Sequence, residues 1–272
     1  MQIVEFDTIY ATRQFKEIKA VISIGVYDGF HYGHQRIINH TVKGAKEREN
    51  CKAVVFTFAQ NPKTIVGRNP FKKPLMSERQ KVAYFTKLGV DFLVVIDFSV
   101  DISKLTGEAF IQRCCSMFDI QSVVVGEDFR CGHKADTGVN ELKEIVPRIC
   151  NKATVEVPDT YKLSDGTVDS STLVRESLTQ GKVAQIIGQL GRYYILDLHS
   201  MVVSLEHSSL QFSVESALQL LPPPGLYETV VTLKNGLKVP TETTIDEINI
   251  TIKSQMEALK SYDYLEFIKE LT

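Results

Sequence analysis

The chain has 272 residues, of which 43% are hydrophobic and 24% charged, enough apolar side chain to build a core over one large or two small domains. Dominant disorder is excluded on that ground, and 16 Gly and 9 Pro exclude collagen-like and low-complexity classes. A net charge of −2 argues against a broad nucleic-acid-binding face but leaves room for a local cationic pocket that takes a phosphate.

In chain order, the N-terminal twenty residues mix charges throughout and lack the apolar core of a signal peptide. No stretch reaches the roughly 18 consecutive apolar residues of a membrane helix. Ala20–Val26 (AVISIGV) is a short apolar run that predicts a buried strand, and a helical stripe of Ile37, Ile38, Val42 and Ala45 follows it. Ala53–Phe58 predicts a second strand. Ser77 with Gln80 three residues on is a capping-box pattern, opening a helix that Gly89 should stop. Phe92–Phe98, Ser122–Gly126 and Ala153–Val157 predict three further strands. Helices are expected at Gly107–Phe118, at Asn140–Ile149 with Pro147 bending or ending it, at Ser170–Gln180 and at Lys182–Leu190. Five apolar strands alternating with helices predict a doubly wound parallel sheet, an α/β domain whose ligands sit at the carboxyl ends of the strands.

After Tyr194 the pattern becomes β-rich. Strands are expected at Met201–Leu205, Leu210–Val214, Gly225–Leu233 and Ile245–Ile252, with turns at Pro222–Pro224 and at Asn235-Gly236, a hairpin signal. Tyr262–Leu271 has helical spacing. The expected organisation is therefore an α/β domain over residues 1–195 and a small, mostly β domain over 196–272 that closes with a terminal helix. Five cysteines (51, 114, 115, 131 and 150) contain no CxxC pair, which predicts free thiols in a reducing cytoplasm rather than a disulfide framework or zinc site.

Three clusters carry chemistry. In Gly25-Val-Tyr-Asp-Gly-Phe-His-Tyr-Gly-His34, placed between the first strand and the first helix, Gly29 and Gly33 let backbone approach a ligand. His31 and His34 lie three residues apart where the free N–H groups and dipole of a helix start favour an anion. A metal would need a third ligand, and Asp28 is the nearby candidate, so the segment reads as a phosphate cradle and no metal ligand is assigned. The GxGxxG and GxxxxGK[ST] fingerprints are absent. Val123–Gly132 follows the fourth strand: Gly126 opens a turn, Asp128 can accept from ribose or ring nitrogens, Phe129 can pack on a flat ring, and Arg130 can reach a phosphate. Val168–Arg175 places Ser170, Ser171 and Thr172 at a helix start, a second anion site with Arg175 one turn further on. Asn61-Pro62 follows the second strand, beside the cations Lys63, Arg68, Lys72 and Lys73. Each cluster alone is also consistent with a plainer part: a histidine helix cap, a polar turn over a buried Phe, simple helix capping, a solvated loop.

Taken together, GVYDGFHYGH resembles the G-x-[FY]-D-G-x-H-x-G-H form of the HxGH nucleotidyltransferase motif. VVVGEDFRCG resembles the VVG-x-D-F-R-x-G segment of its flavin branch, and SSTLVRESL resembles SSTxxRE. The combination is similar to the FMN adenylyltransferase module of bacterial bifunctional riboflavin kinase/FAD synthetases. The likeness runs over about residues 20–194 and ends at Gly191-Arg192-Tyr193-Tyr194, which resembles a G-R-P-Y exit. The resemblance implies a cytoplasmic enzyme that joins ATP and FMN, with Mg²⁺, into FAD and pyrophosphate. It implies catalytic roles for His31, His34 and Arg175. It implies ATP contacts from Gly25, Tyr27, Asp28, Gly33, His34, Gly126, Asp128, Arg130, Ser171, Thr172 and Arg175, and FMN contacts from Asn61, Pro62, Asp128, Phe129 and Arg130.

Leu173 stands where the family has a second arginine. After Tyr194 the G-R-x-L-G-F-P-T-A-N type segment of the kinase half is missing, and only Leu221–Tyr227 resembles the kinase barrel. The C-terminal part thus reads as a kinase remnant without kinase activity. Two other readings stay open: a related nucleotidyltransferase acting on pantetheine phosphate, nicotinate mononucleotide or a polyol phosphate, and a catalytically silent flavin- or nucleotide-binding module. No nucleic-acid, membrane or obligate protein partner is expected.

Overall fold

The computed structural model describes residues 1–62, 73–150, 153–206, 209–253 and 261–271. They divide into two compact units, each with its own core. The first holds the described residues of Met1–Tyr27, Gly33–Asn69 and Lys81–Tyr161, the second those of Asp28–Tyr32, Pro70–Gln80 and Lys162–Thr272. The expected division after residue 195 does not coincide with these units. The 171–190 segment supplies Val174, Leu178, Val183, Ile186 and Leu190 to the same apolar cluster as the C-terminal strands.

The first unit is a six-stranded sheet with every pairing parallel. Its elements are β1 (Gln2–Glu5), α1 (Phe6–Thr12), β2 (Lys19–Ile24), α2 (Tyr32–Lys46), β3 (Cys51–Phe58), α3 (Glu78–Leu88) and β4 (Phe92–Ile96), then α4 (Val100–Lys104), α5 (Gly107–Cys115), β5 (Asp119–Val124), the short pair β6 (Arg130–Cys131) and β7 (Thr137–Gly138), α6 (Val139–Ile149) and β8 (Thr154–Glu156). The order β1-β4-β3-β2-β5-β8 bears out the parallel α/β expectation. β2 is buried from its second residue to its last, as a strand covered on both faces must be. α2 turns Ile38, Thr41, Val42 and Ala45 inward at helical spacing.

The capping box before α3 forms as expected: the Ser77 N–H donates to Gln80 Oε1 (2.9 Å) and the Gln80 N–H to Ser77 Oγ (3.2 Å). Gly89, at φ 88°, ends the helix. α6 keeps Pro147 inside its last turn instead of stopping before it. β1, α1 and α4 were not expected, since their short charged runs show no clear period.

The second unit contributes α7 (Ser171–Thr179), a 3₁₀ turn (Val183–Ile186), the single-turn α8 (Ile187–Leu190) and seven strands: β9 (Tyr194–Asp197), β10 (Val203–Glu206), β11 (Ser209–Ser213), β12 (Gly225–Leu233), β13 (Lys238–Ile245), β14 (Asn249–Lys253) and β15 (Tyr262–Leu271). They form one antiparallel sheet in the order β10-β11-β14-β13-β12-β15-β9. The Asn235-Gly236 hairpin between β12 and β13 is present, with Gly236 at φ 84°.

Three expectations are corrected. The terminal helix is the strand β15, paired with β12 on one side and β9 on the other. The single strand at Ile245–Ile252 is two, β13 and β14, separated by the Asp246 turn, whose carboxylate accepts from the N–H groups of Ile248 and Asn249. Finally, the cysteines are not all free thiols: Cys115, at the end of α5, and Cys150, just past α6, are joined in a disulfide with Cα atoms 5.9 Å apart. The two residues are 35 apart in sequence, so spacing alone could not reveal that the helix ends meet. Among the described residues no helix is long and apolar enough to cross a membrane.

Candidate functional site

In the parallel unit the strand order changes direction between β2 and β5: the chain steps outward from β2 to β3 and β4, then returns to β5 and β8 on the other side. Open α/β sheets bind ligands outside the carboxyl ends of the strands at such a switch point. The loops that leave β2 and β5 there are the ones carrying Gly25–His34 and Gly126–Arg130.

Gly25 leaves β2 with its N–H on the Phe56 carbonyl (3.0 Å), and a Cβ at this position would lie 2.8 Å from the Tyr27 ring. Tyr27 turns back under the loop at φ 51° and is 2% exposed. Ser23 Oγ donates to the Val124 carbonyl (2.6 Å), so its lone pair takes the Tyr27 hydroxyl proton. Burial pushes the Tyr27 phenol well above its ordinary range. The ring is thus a fixed wall, and the imidazole of His34, in the first turn of α2, meets it edge to face at 5.3 Å between centroids.

On the β5 side, Gly126 packs so closely that a Cβ would lie 3.1 Å from Asp128 Oδ1 and 3.3 Å from Ile37 of α2. The Phe129 N–H closes a turn onto the Gly126 carbonyl (3.1 Å). Asp128 and Arg130 are exposed, while Phe129 packs half-buried against the sheet core. The guanidinium of Arg130 lies over Gly138, where a Cβ would overlap it. After β3, Asn61 and Pro62 are partly exposed. Lys63, Arg68 and Lys72 lie outside the described residues.

The second unit collects Asp28, His31, Ser171 and Arg175. Asp28 is 3% exposed; its Oδ1 accepts from the N–H groups of Leu75 (2.9 Å) and Met76 (3.2 Å), and its Oδ2 takes the Arg175 guanidinium. Arg175 also donates to the Lys73 carbonyl (2.8 Å). Ser171 Oγ donates to the Asp28 carbonyl (2.7 Å), and Ser170 Oγ caps α7 by accepting from the Leu173 N–H (3.2 Å). Gly29, at φ 81°, lies where a Cβ would come 2.8 Å from the Leu75 side chain. Thr172 is exposed and Leu173 partly so. His31 is 7% exposed, with Nδ1 3.5 Å from the carboxylate of Asp169.

Sequence reasoning missed three residues. Arg192 donates to the carbonyls of Gly29 (2.8 Å) and Phe30 (3.4 Å) and so pins the loop ahead of His31. Lys81, 8% exposed on α3, donates to the Val26 carbonyl (3.4 Å) at the start of the Tyr27 turn. Asp169 is the third. The Gly-Arg pair at 191–192 was a signal for the first of these; the other two were hidden in ordinary helix-start sequence.

A family model described as FAD synthetase matches residues 14–172. A protein of Buchnera aphidicola named bifunctional riboflavin kinase/FMN adenylyltransferase is 28% identical over 174 residues, which cover 64% of this chain and 55% of that protein. One from Listeria monocytogenes named FAD synthetase is 29% identical over 216 residues, covering 77% of this chain and 80% of that one. The chain spans a little over half the length of the first bifunctional relatives it matches. Among solved structures, the crystal structure of a macrolide-efflux protein from Streptococcus pneumoniae superimposes with a TM-score of 0.82 at 19% identity, covering 100% of this chain and 91% of that one. This last likeness is one of fold.

Proposed function

Because the chain belongs to the FAD synthetase family, we propose that it transfers the AMP moiety of ATP to FMN, giving FAD and pyrophosphate. A phosphate oxygen of FMN attacks the α-phosphorus of ATP. The new P–O bond forms as the bond from the α-phosphorus to the β-phosphate bridging oxygen breaks, and pyrophosphate leaves with that electron pair. The attacking phosphate is already ionised, so no side-chain nucleophile is called for. Catalysis rests on positioning and on stabilising charge at the transferring phosphoryl group.

The observation that carries the reading is the position of Gly25–His34 directly after β2, at the switch point it shares with the Gly126–Arg130 turn. His31 and His34 are assigned to the triphosphate and to the charge that develops at the α-phosphorus. Gly25, Gly33 and Gly126 let the backbone close on the nucleotide, and Tyr27 serves as the wall behind His34. Ser171 and Thr172 are assigned to the triphosphate from the start of α7. Asp128, Phe129 and Arg130, with Asn61 and Pro62, are assigned to nucleotide and flavin. Arg175, one turn further on, is assigned to the triphosphate with Ser171 and Thr172, and its bonds to Asp28 and the Lys73 carbonyl also hold the Asp28–His31 loop in place.

Among the described residues no group of three His, Cys, Asp or Glu side chains is placed to cage an ion. Mg²⁺, which binds largely through water and phosphate oxygens, is assigned to the triphosphate with which it arrives, and no step is routed through it. The part after residue 195 is read as a riboflavin kinase remnant that makes no FMN, and the reaction is placed in the cytoplasm without a nucleic-acid, membrane or obligate protein partner.

Chromatography of the purified protein with ATP, Mg²⁺ and either FMN or riboflavin tests all of this. FAD from FMN and nothing from riboflavin is the expected result. No FAD from FMN would overturn the transferase reading, and FMN made from riboflavin would overturn the remnant.

A further inference from the structure

Asp169 occupies the residue just ahead of the Ser170 cap of α7, and the phosphate-binding assignments above make no use of it. Its side chain is fully excluded from solvent. Neither of its carboxylate oxygens has a hydrogen-bond partner among the described residues. The ionisable group facing it is His31, whose side chain is 8% exposed and whose Nδ1 lies 3.5 Å from Oδ2. That separation is within ion-pair range but does not make a well-formed hydrogen bond. A carboxylate buried without hydrogen bonds costs stability, and the dipole at the start of α7 offsets only part of the cost. A group that burdens the fold in this way and faces one imidazole is explained by what it does to that imidazole.

We propose that Asp169 is a positioning residue for adenylyl transfer, a proposal that rests on the transferase reading. Its carboxylate accepts the Nδ1 proton of His31 and turns Nε2 toward the triphosphate. A neutral imidazole has one N–H; with that proton on Nδ1, Nε2 would present a lone pair to a phosphate oxygen and repel it. The imidazolium donates from both nitrogens, through Nδ1 to the Asp169 carboxylate and through Nε2 to the phosphate. The same loop is held by charged side chains on either side of His31. Asp28 is paired with Arg175, and Arg192 donates to the Gly29 and Phe30 carbonyls. His34 follows three residues later in the chain.

Asp169→Asn keeps the shape and removes the charge. The expected result is a kcat for FAD formation lower by on the order of 10- to 100-fold, the cost found when a carboxylate that orients a metal-bound histidine is lost. KM for ATP should change less than kcat, the alkaline limb of kcat should move to lower pH, and Asp169→Glu should recover part of the rate. The melting temperature should equal or exceed the parent's, because a buried charge has been removed. Nitrogen-15 NMR of histidine-labelled protein with inorganic pyrophosphate supplies a readout apart from turnover. Both ring nitrogens of His31, assigned by the peak lost in His31→Ala, should be protonated in the parent complex. An unshifted alkaline limb in folded Asp169→Asn, or a singly protonated His31 in the parent complex, overturns the proposal. If the protein makes no FAD from FMN, the transferase reading fails while the NMR experiment still decides the Asp169–His31 pair. The same parent spectrum decides it if Asp169→Asn does not fold.

Discussion

His31 and His34 belong to one motif but are held by different means, and truncation should separate the two. His34 rests on the Tyr27 ring, which a hydrogen bond through Ser23 ties to the end of β5. His31 is almost buried and faces Asp169. Losing a well-placed donor to a transition state typically costs about 10²–10³ in rate. His31→Ala and His34→Ala should therefore each lower kcat for FAD formation into or beyond that range. Melting should differ. His34→Ala should unfold near the parent temperature. His31→Ala should unfold several degrees lower, because it strands the Asp169 carboxylate in the interior, and adding Asp169→Asn should restore the loss. Steady-state assays and calorimetry on the four proteins check this, and near-parent turnover in both single variants would remove the histidines from the site. The residue types and spacing of this motif were legible in sequence because strand, loop and helix start are contiguous there. The partners were not. Arg175 is found with its guanidinium on Asp28, 147 residues away. Asp169 reads as a helix-start residue until His31 is found beside it.

At the scale of elements, the parallel sheet was legible because each of its central strands is a continuous apolar run, whereas the antiparallel unit misled where period and partner disagree. Tyr262–Leu271 presents apolar residues at helical spacing, yet Leu265 and Phe267, two apart, are its fully buried pair. The pairing with β12 and β9 decides for strand. β13 was not among the expected strands, and it carries a proline, Pro240, a residue that ordinarily argues against a central strand. Pro240 lies opposite Val230 of β12, and among the described residues the pairing of β13 with β14 runs from Glu242 to Ile245. The second unit also contains a polar joint that no pattern predicted. Arg79, in the first turn of α3, donates to both Asp197 oxygens (3.1 and 2.6 Å) and to Asp263 (2.6 Å), and its guanidinium lies 4.4 Å from the Tyr264 ring centroid. Ser77 adds a bond to Asp197 (2.7 Å), whose side chain is 7% exposed. Removing one member of such a network leaves a buried carboxylate without its counter-ion, at a cost of roughly 3 kcal/mol or more. Arg79→Ala should lose about that much in denaturant unfolding, and Arg79→Lys should recover only part because it lacks the fork that spans two carboxylates. A loss within 0.5 kcal/mol, the ordinary range for surface changes, would show that the joint is ornamental.

For the molecule as a whole, both units carry a carboxylate that ties stability to acid in the same direction. In the parallel unit, Glu156 accepts from Ser122 Oγ (2.5 Å), faces His40 Nε2 at 2.6 Å and has Arg48 at 3.4 Å. Burial alone would raise its pKa, but these hydrogen bonds and cations outweigh burial and hold it below the ordinary glutamate range. In the antiparallel unit, burial would likewise raise Asp197, and the bonds from Arg79 and Ser77 outweigh it and hold it low. A carboxyl group whose folded pKa lies below its unfolded one releases its proton more readily when folded. The stability it contributes is present above the unfolded value, about 4 for either residue type, and is lost as pH falls through the folded value. Calorimetry should therefore show melting temperatures nearly flat from neutrality to about pH 5 and falling steadily below it. Asp246 and Asp165, held low by turn N–H groups at the surface, add to the same slope. Because Glu156 and Asp197 lie in different units, their contributions are separable. Glu156→Gln should flatten the acid slope of one part of the transition, and Asp197→Asn that of the other. A melting temperature that does not fall between pH 5 and pH 3 would mean that neither network is formed in solution as its distances imply. If both variants instead flatten one shared transition, the two units unfold as a single cooperative body.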